Sequence, residues 1–469
     1  MLRTALPVRA AAAGLLLAAA CRSDDVTQSA APPPPGILAA AVAANRHNVL
    51  SAVVTVRVRL ADSVTVRYGA AGAALDGATA AVVPRGDSAV VPVLGLLPGT
   101  RYRFLVVAHG AGDALGDTLT FVSGALPDDL PQYTAGGPDP SPGYVVFAAG
   151  KYGLVIDNTG RIVWYRRFPD PLGPGLNFQA QPTGRYVARP PTPDPAAPGA
   201  WVEMDPLGEV TRILGCAGGL QPRFHDLLAL PDGSYWIMCD ERRAMDLSGV
   251  GGLADAEVMG TVVQLVSGDG SLLFQWNTFD HFAITDLDPA DRTGPMVNWT
   301  HGNALDMDTD GHLLISFRSL NEVTKIHTET GEVVWRMGGL RNEFAFESGP
   351  TPAFARQHGV RVTAPGRILL LDNLGDPAES RAKRYVVDAD ARIARLAASY
   401  GSLPAVSAQL GGSTQELPGG RTLVSFGNAG RVEEYDAAGN VVWRIENPGY
   451  VFRAQRMHSL DRPGVGSTR

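Results

Sequence analysis

Three histidines in this 469-residue sequence share one local setting. His225, His301 and His358 each stand just before a strand-like run, in FHDLLALPDG, THGNALDMDTDG and QHGVRVTAPG. A neutral imidazole nitrogen attacks an electrophile without first losing a proton, so such a residue can carry a group between two half-reactions. Arg318 follows the run HLLISF in the same unit as His301 and offers a planar fork of donors to an oxyanion. Asn303 lies two residues past His301, on the same strand face, as a further donor. The other histidines have plainer settings: His312 in a turn, His327 at a strand end, His281 in a long insertion, His47 and His109 near the N-terminal region, and His458 near the C-terminus.

Three histidines also suit zinc. No HExxH stands in the sequence, however, and an arginine beside the set repels a cation. The expectation is a site with no metal and no cofactor. The GxxxxGK[ST] phosphate loop, a dinucleotide fingerprint and the GxSxG nucleophile elbow are absent as well.

The histidines need elements that bring them together, and the sequence repeats one. From Tyr144 a unit recurs: strand, glycine turn, strand, and a third strand ending near an aromatic residue, as in YVVFAAGKYGLVIDNTGRIVWYRRF and NALDMDTDGHLLISF with VTKIHTETGEVVWRM. Six such units predict an all-β, six-bladed β-propeller over residues 140–460. One blade cannot bury both its faces, so blades stack radially and their first strands converge on the axis. Histidines at the mouths of successive inner strands then face one another. Trp164, Trp276, Trp335 and Trp443 recur at equivalent places and are expected to pack between blades.

Residues 47–125 alternate in strand fashion, as in VLSAVVTVRVRL and SVTVRYG, and predict a small β-sandwich ahead of the propeller. LLPGTRYRFLVVA resembles the turn and strand of a fibronectin type III domain, with Tyr102 as the corner tyrosine. A Pro-rich break, ALPDDLPQYTAGGPDPSPG, separates the two regions.

Residues 1–21 read as an export signal: Arg3 and Arg9, a short apolar run, then Ala18–Ala19–Ala20 before Cys21. This resembles a lipoprotein cleavage box, which makes Cys21 the lipidation site and 22–46 a flexible Pro-rich linker. The expected location is exported and lipid-anchored on the periplasmic or cell-surface side. Arg22 after the cysteine favours the outer membrane over the inner. Cys216 and Cys239 are then in an oxidising compartment, where they are placed to form a structural disulfide. The net charge of −7, with scattered Lys and Arg, argues against nucleic acid or a polybasic membrane contact.

The segments FHDLLALPDGSYWIM, NWTHGNALDMDTDGHLLISFRSLNEVTKIHTETGEVVWRMGG, QHGVRVTAPGRILLLDN and GSTQELPGGRTLVSFGNAGRVEEYDAAGNVVWRIENP resemble the bacterial aryl-sulfate sulfotransferases. The resemblance implies a six-bladed propeller that moves a sulfuryl group from an aryl sulfate to a phenol, with no nucleotide donor and a transient sulfohistidine. It implies His358 as nucleophile, with His225, His301 and Arg318 holding the sulfuryl oxygens and Asn303 a further contact. Protonated His225 or His301 would add positive charge or protonate the leaving phenolate. LLLDNL departs from the family pattern, which has an aromatic before Asp-Asn and a glycine after it. Other readings are a non-catalytic surface propeller that binds a partner, a quinone-dependent dehydrogenase suggested by TGEVVWR, and a metal-dependent sulfatase.

Overall fold

The computed structural model describes residues 32–169, 176–190, 199–349, 353–375 and 378–464. The export signal and Cys21 lie outside the described residues.

The N-terminal region forms two facing sheets. Gly36–Ala44, Ala52–Arg59 and Ser88–Val93 make one; Gly77–Ala78, Ser63–Ala70, Arg101–Gly110 and Gly112–Val122 make the other. Alternation drives the packing: Val54, Val56 and Val58 turn inward with Val64, Val66, Phe104 and Val106, while the intervening residues stay wet. The Tyr102 hydroxyl accepts a hydrogen bond from the Leu97 amide at 2.8 Å, pinning the corner as the sequence suggests. One boundary moves. Gly36–Ala44, inside the segment read as linker, pairs antiparallel with Ala52–Arg59. Its alternation is written mostly in alanine, which barely separates an inward from an outward face. Only Ile37, Ala40 and Val42 pack on the core.

Among the described residues six further sheets follow in chain order, and they coincide with the six repeated units. Each has at least four antiparallel strands, and short parallel strands, Met296–Asn298 and Ala345–Glu347, are added to the third and the fifth. The ends interlock. Ala454–Met457, from the C-terminus, pairs with Tyr144–Ala149 of the first sheet, and Thr134–Gly136 pairs with Val441–Glu446 of the last. Thr134–Gly136 begins ahead of the expected start at 140, within the Pro-rich break. The whole is all-β and propeller-like.

Neighbouring inner strands are joined by side chains rather than by a backbone ladder. Gln455 accepts from the Ala180 amide, Gln181 from the Ala229 amide, Asp226 from the Leu305 amide and Asp306 from the Val362 amide. Thr414 donates to the Gly359 carbonyl, and Gln415 accepts from the Arg456 amide, which closes the circuit. Each inner strand is thereby fixed in height against the next, and its backbone groups are satisfied without a continuous sheet. Outside this belt the repeated tryptophans pack between sheets. The Trp164, Trp276 and Trp443 indoles donate to the Pro206, Gly331 and Asn158 carbonyls, each in a turn of the adjoining sheet, and Trp335 packs on Phe344. Cys216 and Cys239 are disulfide-bonded, tying the loop before the third sheet to its second strand.

Candidate active site

His225, His301, His358 and Arg318 line one cavity of about 930 Å³. Each arrives there through a local irregularity. The ladder between Gln221–Ala229 and Tyr235–Met245 is broken from Pro222 to Leu227, which frees Phe224 and His225 from regular pairing. His301 precedes its strand with φ at 49°, a left-handed conformation uncommon outside glycine. The Arg318 amide donates to the His301 carbonyl at 3.0 Å and so ties the two residues together. His358 opens its strand and is followed by Gly359 at φ 62°, where a Cβ would lie 2.8 Å from the Ser413 Cα. Only glycine fits that approach.

The rings meet closely. His225 and His301 have centroids 4.8 Å apart, and His225 and His358 lie 6.4 Å apart. Phe452 packs against both His225 and His358, at 5.6 and 6.4 Å, and Phe224 packs on Phe452. Leu176, Leu410, Pro448 and Tyr450 extend the apolar wall, while Asp129, Lys151 and Gln132 add polar groups. The chamber therefore suits a flat aromatic body with an anionic head at the histidines.

The hydrogen bonds settle the protonation of His358. Its Nδ1 lies 2.9 Å from Asn373 Oδ1 and 3.1 Å from the Arg356 carbonyl, both acceptors. The Asn373 amide nitrogen is already committed to the Ala408 and Gly411 carbonyls, so its oxygen must face the ring. Nδ1 therefore carries the proton, and Nε2 keeps its lone pair. From sequence, Asn373 is met only within the LLLDNL motif and is given no role. Its signal was position: His358 pairs with Leu371, two residues before it on the neighbouring strand.

Burial pushes His358 down to about 4, and His225 and His301 are also driven well below the usual imidazole value. Desolvation leads in all three, with Arg223 and Arg318 adding repulsion at His225 and His301. Burial thus opposes a proton on any of the three rings, which favours their neutral forms and leaves the guanidinium as the fixed positive charge. Arg318 stays charged. It donates one bond to the Gln409 carbonyl, and its Nε is buried without a partner. Donor capacity therefore remains for an anion.

Asn303 differs from the other expected site residues. It is fully buried, and its amide donates to the Gln357 carbonyl at 2.6 Å, beside His358. In this geometry it positions the strand that His358 opens. Among the described residues, no group of three or more His, Cys, Asp or Glu side chains is arranged to hold a metal ion.

Any nucleophilic role of His358 needs its neutral ring, so a step that used it should hold its rate from pH 8 down to about 5 and fall through about 4. A stopped-flow pH series with an aryl sulfate measures this, and an acid limb near 6.5 would contradict it. Stability has the same sign. The unfolded chain takes up imidazole protons from about 6.5 downward that the folded site resists, so this contribution is present above 6.5 and is lost as pH falls toward about 4.

A propeller-like all-β chain with imidazoles and a guanidinium gathered in one aromatic-lined cavity defines the class. The arylsulfotransferase family model matches residues 222–448, the stretch that carries all four of these residues, and this match supports the arylsulfotransferase family. No curated protein matches the chain. Solved structures that match include a protein of unknown function from Bacteroides caccae, 14% identical, covering 67% of this chain and 98% of that one, TM-score 0.43. Another is the virginiamycin B lyase from Staphylococcus aureus, 11% identical, covering 66% of this chain and 87% of that one, TM-score 0.35.

Proposed function

We propose that the protein is an aryl-sulfate sulfotransferase that works by ping-pong transfer through a sulfated His358. The six sheets are read as the blades of a six-bladed propeller, and the N-terminal pair of sheets as a fibronectin III-like sandwich. The observation that carries the reading is the orientation of His358: Nδ1–H held by Asn373, with Nε2 left as the lone pair in a cavity shared with Arg318.

In the first half-reaction His358 Nε2 attacks sulfur, the bond from sulfur to the aryl oxygen breaks, and a phenolate leaves. The ring becomes an N-sulfo imidazolium whose Nδ1–H still donates to Asn373, so no proton need move at the nucleophile. Charge on the sulfuryl oxygens in the transition state is met by the Arg318 guanidinium. In the second half-reaction a phenol attacks the same sulfur and the Nε2–S bond breaks, which restores neutral His358. The proton lost by the acceptor phenol balances the one gained by the released phenolate, and the adjacent His225 is placed to pass it.

The reading calls for no nucleotide donor and takes small-molecule aryl sulfates and phenols as substrates. Export and a lipid anchor at Cys21 complete the proposal, with the disulfide consistent with an oxidising compartment. Incubation with a chromogenic aryl sulfate tests the activity. Release that depends on added phenol, with sulfated phenol as product and parallel double-reciprocal lines, is expected. Free sulfate as the sole product would indicate hydrolysis instead.

A further inference from the structure

His301 has a second neighbour whose chemistry is specific. Its Nδ1 lies 2.7 Å from the Asn298 side-chain nitrogen, and its Nε2 lies 3.1 Å from His225 Nε2. Asn298 ends the short parallel strand that joins the third sheet beside Met259. The orientation of its amide is fixed from behind. Arg223 reaches the Asn298 oxygen at 3.5 Å, and a guanidinium can only donate, so oxygen faces Arg223 and nitrogen faces the imidazole. Arg223 is itself 4% exposed and is paired with Asp240, the residue after the disulfide-bonded Cys239.

We propose that Asn298, oriented by the Arg223–Asp240 pair, is a positioning residue that holds His301 as its Nε2–H tautomer. An amide N–H aimed at Nδ1 supplies a donor where a second ring proton would otherwise sit. Nε2 must then carry the proton, and it donates to His225 Nε2. When an anionic sulfuryl group enters, the same N–H can turn from His225 to an oxygen, which frees the His225 lone pair. His301 thus works as a fixed donor and does not exchange its ring proton.

The charged and titratable groups around His301 agree with this. The strand Gln221–Ala229 brings Arg223 and His225, the chain after Leu313–Phe317 brings Arg318, and the next sheet brings His358. Each opposes a positive charge on the ring. Asp240 is engaged by Arg223 rather than by the imidazole.

The structural half of the inference needs no catalytic assumption; the kinetic half rests on the sulfuryl-transfer reading. Nitrogen-15 NMR of the histidine-labelled wild-type protein at neutral pH should show His301 with a bare Nδ1 and a protonated Nε2. Asn298→Asp replaces the donor by an acceptor of the same shape. The His301 signals should exchange character, and transfer should fall by about 100-fold, the scale of losing one transition-state donor. A carboxylate also favours the imidazolium of His301, so the acid side of the pH–rate profile, set by His358 in the wild type, should gain a second limb from His301 at higher pH. A purely structural asparagine would lower the rate without adding that limb or changing the tautomer.

A protonated Nδ1 in the wild type overturns the proposal. So does a folded Asn298→Asp variant with unchanged histidine signals and an unchanged pH profile. If the wild type shows the expected tautomer yet transfers no sulfuryl group, the positioning assignment stands and the functional reading fails.

Discussion

His358→Ala should lower sulfuryl transfer by at least about 10,000-fold while leaving the protein folded, because no other group can take its place in forming the covalent intermediate. His225 and His301 share the cavity, but the two rings face each other through Nε2 at 3.1 Å. Only His358 has its other nitrogen tied back by acceptors from Asn373 and the Arg356 carbonyl. The effect should fall on both half-reactions, so no burst of phenol release is expected with donor alone. Stopped-flow measurement of that burst, beside a circular dichroism spectrum, separates lost chemistry from lost fold. A variant that keeps a full burst would place the nucleophile elsewhere.

The second large effect is on stability. Asp226, directly after His225, is 3% exposed and holds the Arg361 and Arg453 guanidiniums at 3.0 and 3.1 Å. It also accepts from the Leu227 and Leu305 amides, the latter forming one link of the belt between inner strands. Removing the carboxylate leaves two guanidiniums without a counter-charge, and Arg453 is 2% exposed. Breaking a buried ion pair in this way costs about 3–5 kcal/mol. Asp226→Ala should therefore lower the unfolding free energy by that amount, read as a lower urea midpoint with an unchanged m-value. Asp226→Asn retains an acceptor and should lose less. Arg453 also donates to the His225 carbonyl at 3.3 Å, so the same change should loosen the backbone that carries His225 into the cavity. A midpoint shift worth less than about 1 kcal/mol would show that the pair contributes little, as surface pairs do.

The parts of this molecule legible in the sequence are those written in repetition. Alternating strands and glycine turns marked six units, and six sheets follow the same segments. The equivalent placement of His225, His301 and His358 marked the site, because equivalent positions on neighbouring inner strands must come together. Cys216 and Cys239 could be paired because each ends a strand-like run, and they are bonded.

What escaped was singular. Asn298 and Asn373 recur in no other unit. Their significance lies in which way an amide faces, which depends on Arg223 in one case and on the Ala408 and Gly411 carbonyls in the other. Asp226 reads as an ordinary turn-proximal acid until the two arginines from distant sheets are seen around it. Protonation was also out of reach, since only burial shows that the imidazoles favour their neutral forms. The strand Gly36–Ala44 escaped for a simpler reason: alanine-rich alternation after a proline run resembles a tether.

The central claim is that His358 Nε2 carries the sulfuryl group between donor and acceptor. Peptide-resolved mass spectrometry after brief exposure to an aryl sulfate alone, quenched under alkaline conditions, tests it most directly. The account predicts one added SO3 on the peptide containing His358, discharged when phenol is supplied and absent from His358→Ala. Phenol-dependent transfer with no adduct, or an adduct on another residue that turns over at the catalytic rate, would contradict it.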